Sequence, residues 1–334
     1  MQGIAGTFGV GNKPLVRRML GKLQHRGPDI QNVFSADSCT LGARSPVRQL
    51  RERASAIAEE DSIAVASDSY IFNREFLRST IAPTCARDIS DAQLMLKMYK
   101  SIGTGFFRYI DGAYTVVIVD NSKTIIARDC YGLKPLYLSG DLKEGTYSSE
   151  IKSQQVTGRE FASFPPGRMM VSGEGFRRIT PVDLPWALGP SLKNPPEQVR
   201  QLLIQSVMSC CDDTGDLNVL LSGGIDSSVV AAAAAEDSTN IHSVCVGTEN
   251  SEDIRMARLV ADHLGTSHKE RIYDLEDMLE ILGDAIYYGE TFDYPLVRSC
   301  IPNYMATHLF SNRQGITLCG EGGDEVFAGY DFLL

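Results

Sequence analysis

A short apolar run, Leu217 to Leu221 in "LNVLLSGGIDSSVVAAAA", leads directly into Ser222-Gly223-Gly224-Ile225-Asp226-Ser227-Ser228 and then into a helical pattern. Glycines let the backbone turn sharply and approach a ligand, while the first turn of a helix offers unpaired N–H groups and a positive dipole end to an anion. The loop, with Ser222, Gly223, Gly224 and Ser227, therefore reads as a phosphate cradle. It is not a Walker A loop, because the Gly-Lys pair Gly21-Lys22 is followed by Leu23 rather than Ser or Thr. Asp226 inside the loop would repel a bare phosphate, which points to a bridging Mg2+ ion. The plainer alternative is a turn in which Ser227 caps the helix.

A second loop favours the cradle. After "GITLC" comes "GEGGDEVFAGY", glycine-rich at the carboxyl end of a second apolar run, where open parallel sheets bind their ligands. It carries Glu321, Asp324 and Glu325. Asp226 and Asp324, one from each loop, could hold the same metal, which leaves Glu321 as a candidate general base. A solvated acidic turn is the alternative.

The elements that must position these loops follow a change of pattern along the chain. Five prolines fall between Pro181 and Pro196, where each ring fixes φ and removes a donor, so residues 181–196 read as a linker. Residues 1–180 are dominated by short β-type runs ("GIAGTFGV", "SIAVASDSYIF", "AYTVVIVD", "TIIARD", "RMMVSG") with helical patterns in "PLVRRMLGKLQ" and "DAQLMLKMYKSIG", which predicts an α+β domain. Residues 197–334 alternate short strands ("NVLLS", "HSVCVG", "ITLCG") with amphipathic segments ("PEQVRQLLIQSVMS", "SEDIRMARLVADHLG", "LEDMLEILGDAIYY"). That alternation predicts an α/β domain on a parallel sheet.

Composition narrows the function classes. The 334 residues, 43% of them apolar, can bury a real core. A formal charge of −10 repels nucleic acid and anionic bilayers alike, so neither is an expected partner. No apolar run approaches the roughly 20 residues of a spanning helix, and the amino terminus lacks a signal-peptide pattern, which places the chain in the cytoplasm. The eight cysteines show no Cys-x-x-Cys spacing and read as reduced thiols rather than disulfides or zinc ligands.

"LLSGGIDSS" resembles the pyrophosphate loop of ATP pyrophosphatases. Together with "VCVGTENSEDIRMARLVADHLGTSHKE" and "CGEGGDEVFAGY" it is similar to the synthetase domain of glutamine-hydrolysing asparagine synthetases. In the first half "GIAGTFG", "HRGPD", "YIFNREFLR", "SDAQ", "IDGAYTVVIVD", "RDCYGLKPLYLS", "YSSEIKS" and "FPPGRMMV" resemble, in order, the landmarks of a class II glutamine amidotransferase domain. The resemblance implies an Ntn-type αββα sandwich followed by a doubly wound ATP-pyrophosphatase domain. It also implies an enzyme that adenylates the side-chain carboxylate of aspartate and lets ammonia displace AMP. It places ATP against Leu220, Ser222, Gly223, Gly224, Val246 and Gly320, with magnesium and pyrophosphate against Asp226 and Asp324.

The resemblance also exposes departures. Class II amidotransferases carry a nucleophilic cysteine second in the sequence, and here that position is Gln2, whose carboxamide is no nucleophile. The family's Asn-Gly-Glu aligns with Asp68-Ser69-Tyr70, and a carboxylate there would repel an oxyanion. The glutamine-binding Arg corresponds only approximately to Arg44, one position early, whereas Asp91 in "SDAQ" is retained. Neither Cys39 nor Cys130 has an α-amine as base, and His25 matches a structural position. The amino-terminal domain is expected to be a glutaminase fold without glutaminase activity. The synthetase domain ends at Leu334, before the part that supplies the family's lysine. Another chain, a homo-oligomer partner or an earlier lysine such as Lys269 could supply it, or the copy is incomplete.

Two function classes stand open. One is an AMP-forming amide ligase that joins aspartate, or a similar carboxylate, to ammonia or another amine. The other is a non-catalytic nucleotide-binding or regulatory homologue.

Overall fold

The computed structural model describes residues 2–46, 55–180, 194–211, 217–236, 238, 240–311, 313 and 315–330. Residues 181–193 of the expected linker lie outside them. The chain divides into two compact units, Met1–Leu188 and Gly189–Leu334.

The first unit is a four-layer α-β-β-α sandwich. One antiparallel sheet takes β1 (Gly3–Phe8), β2 (Ile30–Ala36), β3 (Cys39–Ser45), β8 (Tyr137–Gly140), β9 (Gly145–Ser148) and β10 (Ala162–Ser163) in the order β10-β8-β9-β1-β3-β2. The other takes β4 (Ile57–Glu60), β5 (Ile63–Ile71), β6 (Gly112–Asp120), β7 (Lys123–Arg128), β11 (Arg168–Val171) and β12 (Gly175–Arg178) in the order β12-β11-β7-β6-β5-β4. Strand alternation sets the layers. Ile4 and Phe8 on β1 meet Ala64, Val117 and Ile126 of the facing sheet, while Ala5 turns to the outer layer against Val16, Met19 and Leu20 of α1 (Lys13–Gly21).

Asn12 caps α1 by accepting from the Leu15 amide at 3.0 Å, and Pro14 in the first turn needs no donor there. On the opposite outer face lie α2 (Arg74–Thr80) and α3 (Asp91–Ile102). Helix α3 opens with a Ser90–Gln93 capping box and buries Leu94, Met95 and Met98 against Val65, Val116 and Ile118. The short α4 (Ile151–Gln154) follows β9.

The second unit is a doubly wound α/β sheet. Helix α5 (Pro195–Cys210) precedes β13 (Leu217–Leu220), α6 (Ile225–Ala235), β14 (Ile241–Gly247), α7 (Glu252–Leu264), β15 (Ser267–Ile272), α8 (Leu275–Gly289), α9 (Tyr294–His308), β16 (Ile316–Leu318) and α10 (Gly323–Phe327). All strand pairs are parallel, in the order β15-β14-β13-β16. Val219 and Cys245 face α5, α6 and α7, whereas Leu220, Val244 and Val246 face α9. The chain moves outward from β13 to β15 and then returns to the other side of β13. The loops after β13 and β16 therefore flank the switch point where such sheets open a crevice.

Candidate functional site

In the second unit the two glycine-rich loops close on each other. A Cβ at Gly320 would lie 2.6 Å from the Ser227 amide nitrogen and 2.9 Å from Asp226 Cβ, and one at Gly323 would strike the Asp226 carboxylate. Only glycine permits that approach. Gly223, at φ +79°, passes directly over Met256 and Ala257 of α7. The first loop is laced through Ser227, whose Oγ accepts from the Ser222 amide at 3.2 Å and lies 2.9 Å from Ser222 Oγ.

A cavity of about 340 Å³ opens at this junction. Leu220, Ser222, Gly224, Asp226, Ser227, Val246, Gly320, Glu321 and Asp324 all line it, and Gly223 does not. Leu220, Val246 and Ala306 of α9 form one apolar cluster on its wall. Cys245 lines it too, its thiol pushed up to about 11, chiefly by burial. Lys269 stands exposed on the edge strand β15, in register with Val244, and is not part of the wall.

The cavity's charge is one-sided. Asp226, Asp253, Glu321, Asp324 and Glu325 line it, with no lysine or arginine among the described lining residues. Tyr330 donates to Glu325, which holds that carboxylate below its usual range and pushes the phenol up to about 12. Such a wall cannot take a polyphosphate unless a cation enters with it. Among the described residues no three His, Cys, Asp or Glu side chains form a metal cage. Asp253 and Asn303 were not legible as site residues. Asp253 reads only as the start of α7, and Asn303 sits next to Pro302 in a segment whose prolines hide a helix. Asn303 lines the cavity from α9.

The first unit gathers a different constellation around Arg26. Its Nε donates to the Gln2 carbonyl at 2.8 Å, Nη1 to Glu150 at 2.9 Å and Nη2 to Asp68 at 2.7 Å. Lys134 Nζ lies 2.9 Å from the other Asp68 oxygen, as an ion pair without hydrogen-bond alignment. His25 at 3.0 Å and Lys152 at 2.6 Å complete Glu150. Burial works against the Arg26 charge, but Asp68 and Glu150 outweigh it and hold the guanidinium's pKa up. Burial likewise opposes the Glu150 carboxylate, and Lys152, Arg26 and His25 overcome it and hold its pKa down.

Asp68 is thus 1% exposed between two cations rather than facing an empty hole. The Gln2 side-chain oxygen is buried without a hydrogen-bond partner. Ser69 donates to Asp91 at 3.1 Å, and Arg74 pairs with the same carboxylate. Gln2, Asp68 and Asp91 are therefore tied into adjoining networks. Arg44 is not, since it donates to the Leu20 carbonyl at 3.0 Å, the Gly27 carbonyl at 3.4 Å and Gln31 at 2.9 Å.

Comparison with known proteins matches one family model to each half of the chain. Residues 198–334 match the asparagine synthase family, and residues 1–160 match a glutamine amidotransferase domain family. The chain is 32% identical over 354 residues to a glutamine-hydrolysing asparagine synthetase of Triphysaria versicolor, which covers 99% of this chain and 60% of that protein. It is 31% identical over 354 residues to the corresponding protein of Sandersonia aurantiaca, covering 99% of this chain and 67% of that one. It thus spans about three-fifths of the length of most such relatives. A solved Bacillus subtilis glutamine phosphoribosylpyrophosphate amidotransferase is similar at TM-score 0.43 and 12% identity, covering 90% of this chain and 96% of that one, too loose a likeness to carry an argument. The matches to both domain families, in order, and the identity sustained along 99% of the chain place it in the family of glutamine-hydrolysing asparagine synthetases.

Proposed function

We propose that the second unit is an ATP-dependent, AMP-forming amide ligase centre that joins aspartate to ammonia, and that the first unit no longer hydrolyses glutamine. One observation carries the reading: two glycine-rich loops, each bearing a carboxylate, meet at the switch point of a parallel sheet and line one cavity.

In this reading the β- and γ-phosphates rest on the backbone N–H groups that open α6, with Asp226 and Asp324 holding Mg2+. The ion supplies charge neutralisation for the departing pyrophosphate. The adenine lies along Leu220, Val246 and Ala306, with the Asn303 amide at its edge. A carboxylate oxygen of aspartate bonds to the α-phosphorus and pyrophosphate leaves. The ammonia nitrogen then bonds to the acyl carbon, AMP leaves, and Glu321 accepts the proton released. The setting is the cytoplasm, in keeping with eight free thiols. Ammonia comes from solution, because Gln2 provides no nucleophile.

The test is incubation of purified protein with ATP, Mg2+, aspartate and ammonium. AMP and pyrophosphate should form, and glutamine should not replace ammonium. ADP and phosphate as products would reject the chemistry. Nucleotide binding without any cleavage would favour the non-catalytic alternative, which the missing cation among the described cavity residues supports.

A further inference from the structure

Among the described residues the edge strand β15 joins its sheet through β14 alone. Its sequence, "SHKERI", has little apolar surface to bury, so polar contacts decide how firmly it stays. His268 stands in register with Ser243 of β14, a fully buried serine whose Oγ lies 2.8 Å from His268 Nδ1 and 2.6 Å from Thr266 Oγ1. Two residues along, Glu270 is held by Arg258 of α7, whose Nε and Nη2 donate to it at 3.0 Å and 2.7 Å.

This seam suits a neutral imidazole and resists a charged one. The His268 side chain is 12% exposed, and its Nε2 is buried with no hydrogen-bond partner. A neutral ring can accept at Nδ1 from Ser243 while Ser243 accepts from Thr266. A ring carrying both protons donates at Nδ1, and both hydroxyls must turn round. The charge also has little to rest on, since the Glu270 oxygen 3.6 Å from Nε2 already serves Arg258. Arg258 and Asp262 of α7 are the other charged groups near the ring, while Cys245, on the same face of β14, keeps its proton, its thiol pushed up to about 11. Burial pushes the His268 pKa down, against Glu270 and Asp262 and together with Arg258.

We propose that His268 is an acid-sensitive latch: on taking a second ring proton from solvent it releases β15 from β14 and loosens the wall of the second unit's cavity. The route is short. Glu270 and Arg271 of β15 pair with Cys245 and Val246 of β14, which line the cavity, and the Tyr273 amide closes the ladder on the Gly247 carbonyl at 3.0 Å. The sign follows from the neutral ring of the closed strand. Above the ordinary histidine value, about 6.5, closed and open strands are both neutral and the latch holds. As pH falls below it the open strand takes up the proton first, so opening gains ground until the closed form is protonated too.

The full chain is followed by amide hydrogen exchange from about pH 7.5 down to about pH 5, each rate corrected for the intrinsic effect of pH. Opening of Ser267–Ile272 should rise severalfold toward the acid end, with that of Leu217–Leu220 on β13 unchanged. His268→Gln, neutral at every pH, should remove the rise. Arg258→Ala, at a surface position, frees Glu270 to take the imidazolium and should shrink the rise, which reads the latch even where His268→Gln disturbs the sheet. Opening that does not increase with acid overturns the inference, as does an undiminished rise in either variant. So does a rise shared equally by β13, which would mean general loosening rather than a latch at β15.

Discussion

Arg26 and Asp68 form a buried ion pair, Nη2 to Oδ2 at 2.7 Å, with side chains 8% and 1% exposed. The second cation on Asp68, Lys134, shows that the carboxylate is built into its surroundings. Removing one member of a buried pair strands the other without compensation, at a cost of about 3–5 kcal/mol. Asp68→Asn should therefore lower the stability of the first unit by about that amount in urea denaturation. An unchanged midpoint would show that the network contributes nothing.

Glutaminase activity should be absent, and Gln2→Cys alone should not create it. Arg26 is already committed to Gln2, Asp68 and Glu150, and Asp68 to Arg26 and Lys134, so neither group is left to serve a new thiol's chemistry. Glutamate release is the readout, and any release by Gln2→Cys above the parent protein would overturn this.

Stability should depend on pH through Glu150. Its folded pKa is depressed, so its ionised form stabilises the fold fully above the ordinary glutamate value, about 4.3, and the contribution is lost as pH falls from there through the folded value. Thermal melts should fall in that acid window, and Glu150→Gln should flatten this part of the profile while lowering stability at neutral pH. A parallel profile in the variant would remove Glu150 as the cause.

MgATP should bind the second unit, and Asp226→Asn should weaken it by about tenfold or more, since the wall that remains is still anionic and has lost a metal ligand. Calorimetry at fixed Mg2+ reads this directly. Equal affinity in the variant would separate Asp226 from the metal.

Gly320→Ala should abolish nucleotide binding while leaving the unit folded. The added methyl would sit 2.6 Å from the Ser227 amide nitrogen, so the second loop must withdraw from the first turn of α6. Retained binding with native circular dichroism would mean that the two loops need not meet.

Several features were legible because they are local. The strands around Ile4, Val65 and Val117, and helices α1, α3 and α5 to α8, follow from apolar periodicity and caps that neighbouring residues supply. Helix α9 was not, because Pro295 and Pro302 are breakers by local rules, and packing of Ala306 on β14 and of Ile301 and Met305 against α8 sustains it. Strand β15, "SHKERI", has almost no apolar pattern and is a strand because β14 offers it a parallel ladder.

The sequence by itself determined the two fold classes, the two glycine-rich loops and the carboxamide, rather than a thiol, at Gln2. Each is written in the types and spacing of residues within a few positions of one another. Tertiary structure alone decided that Asp226 rests against Gly320 and Gly323, that Asp253 and Asn303 share their cavity, and that Arg26 joins Gln2, Asp68 and Glu150. These residues are separated by tens to more than a hundred positions. Their meeting depends on strand order and burial, which fix where charges must pair and which no local pattern records.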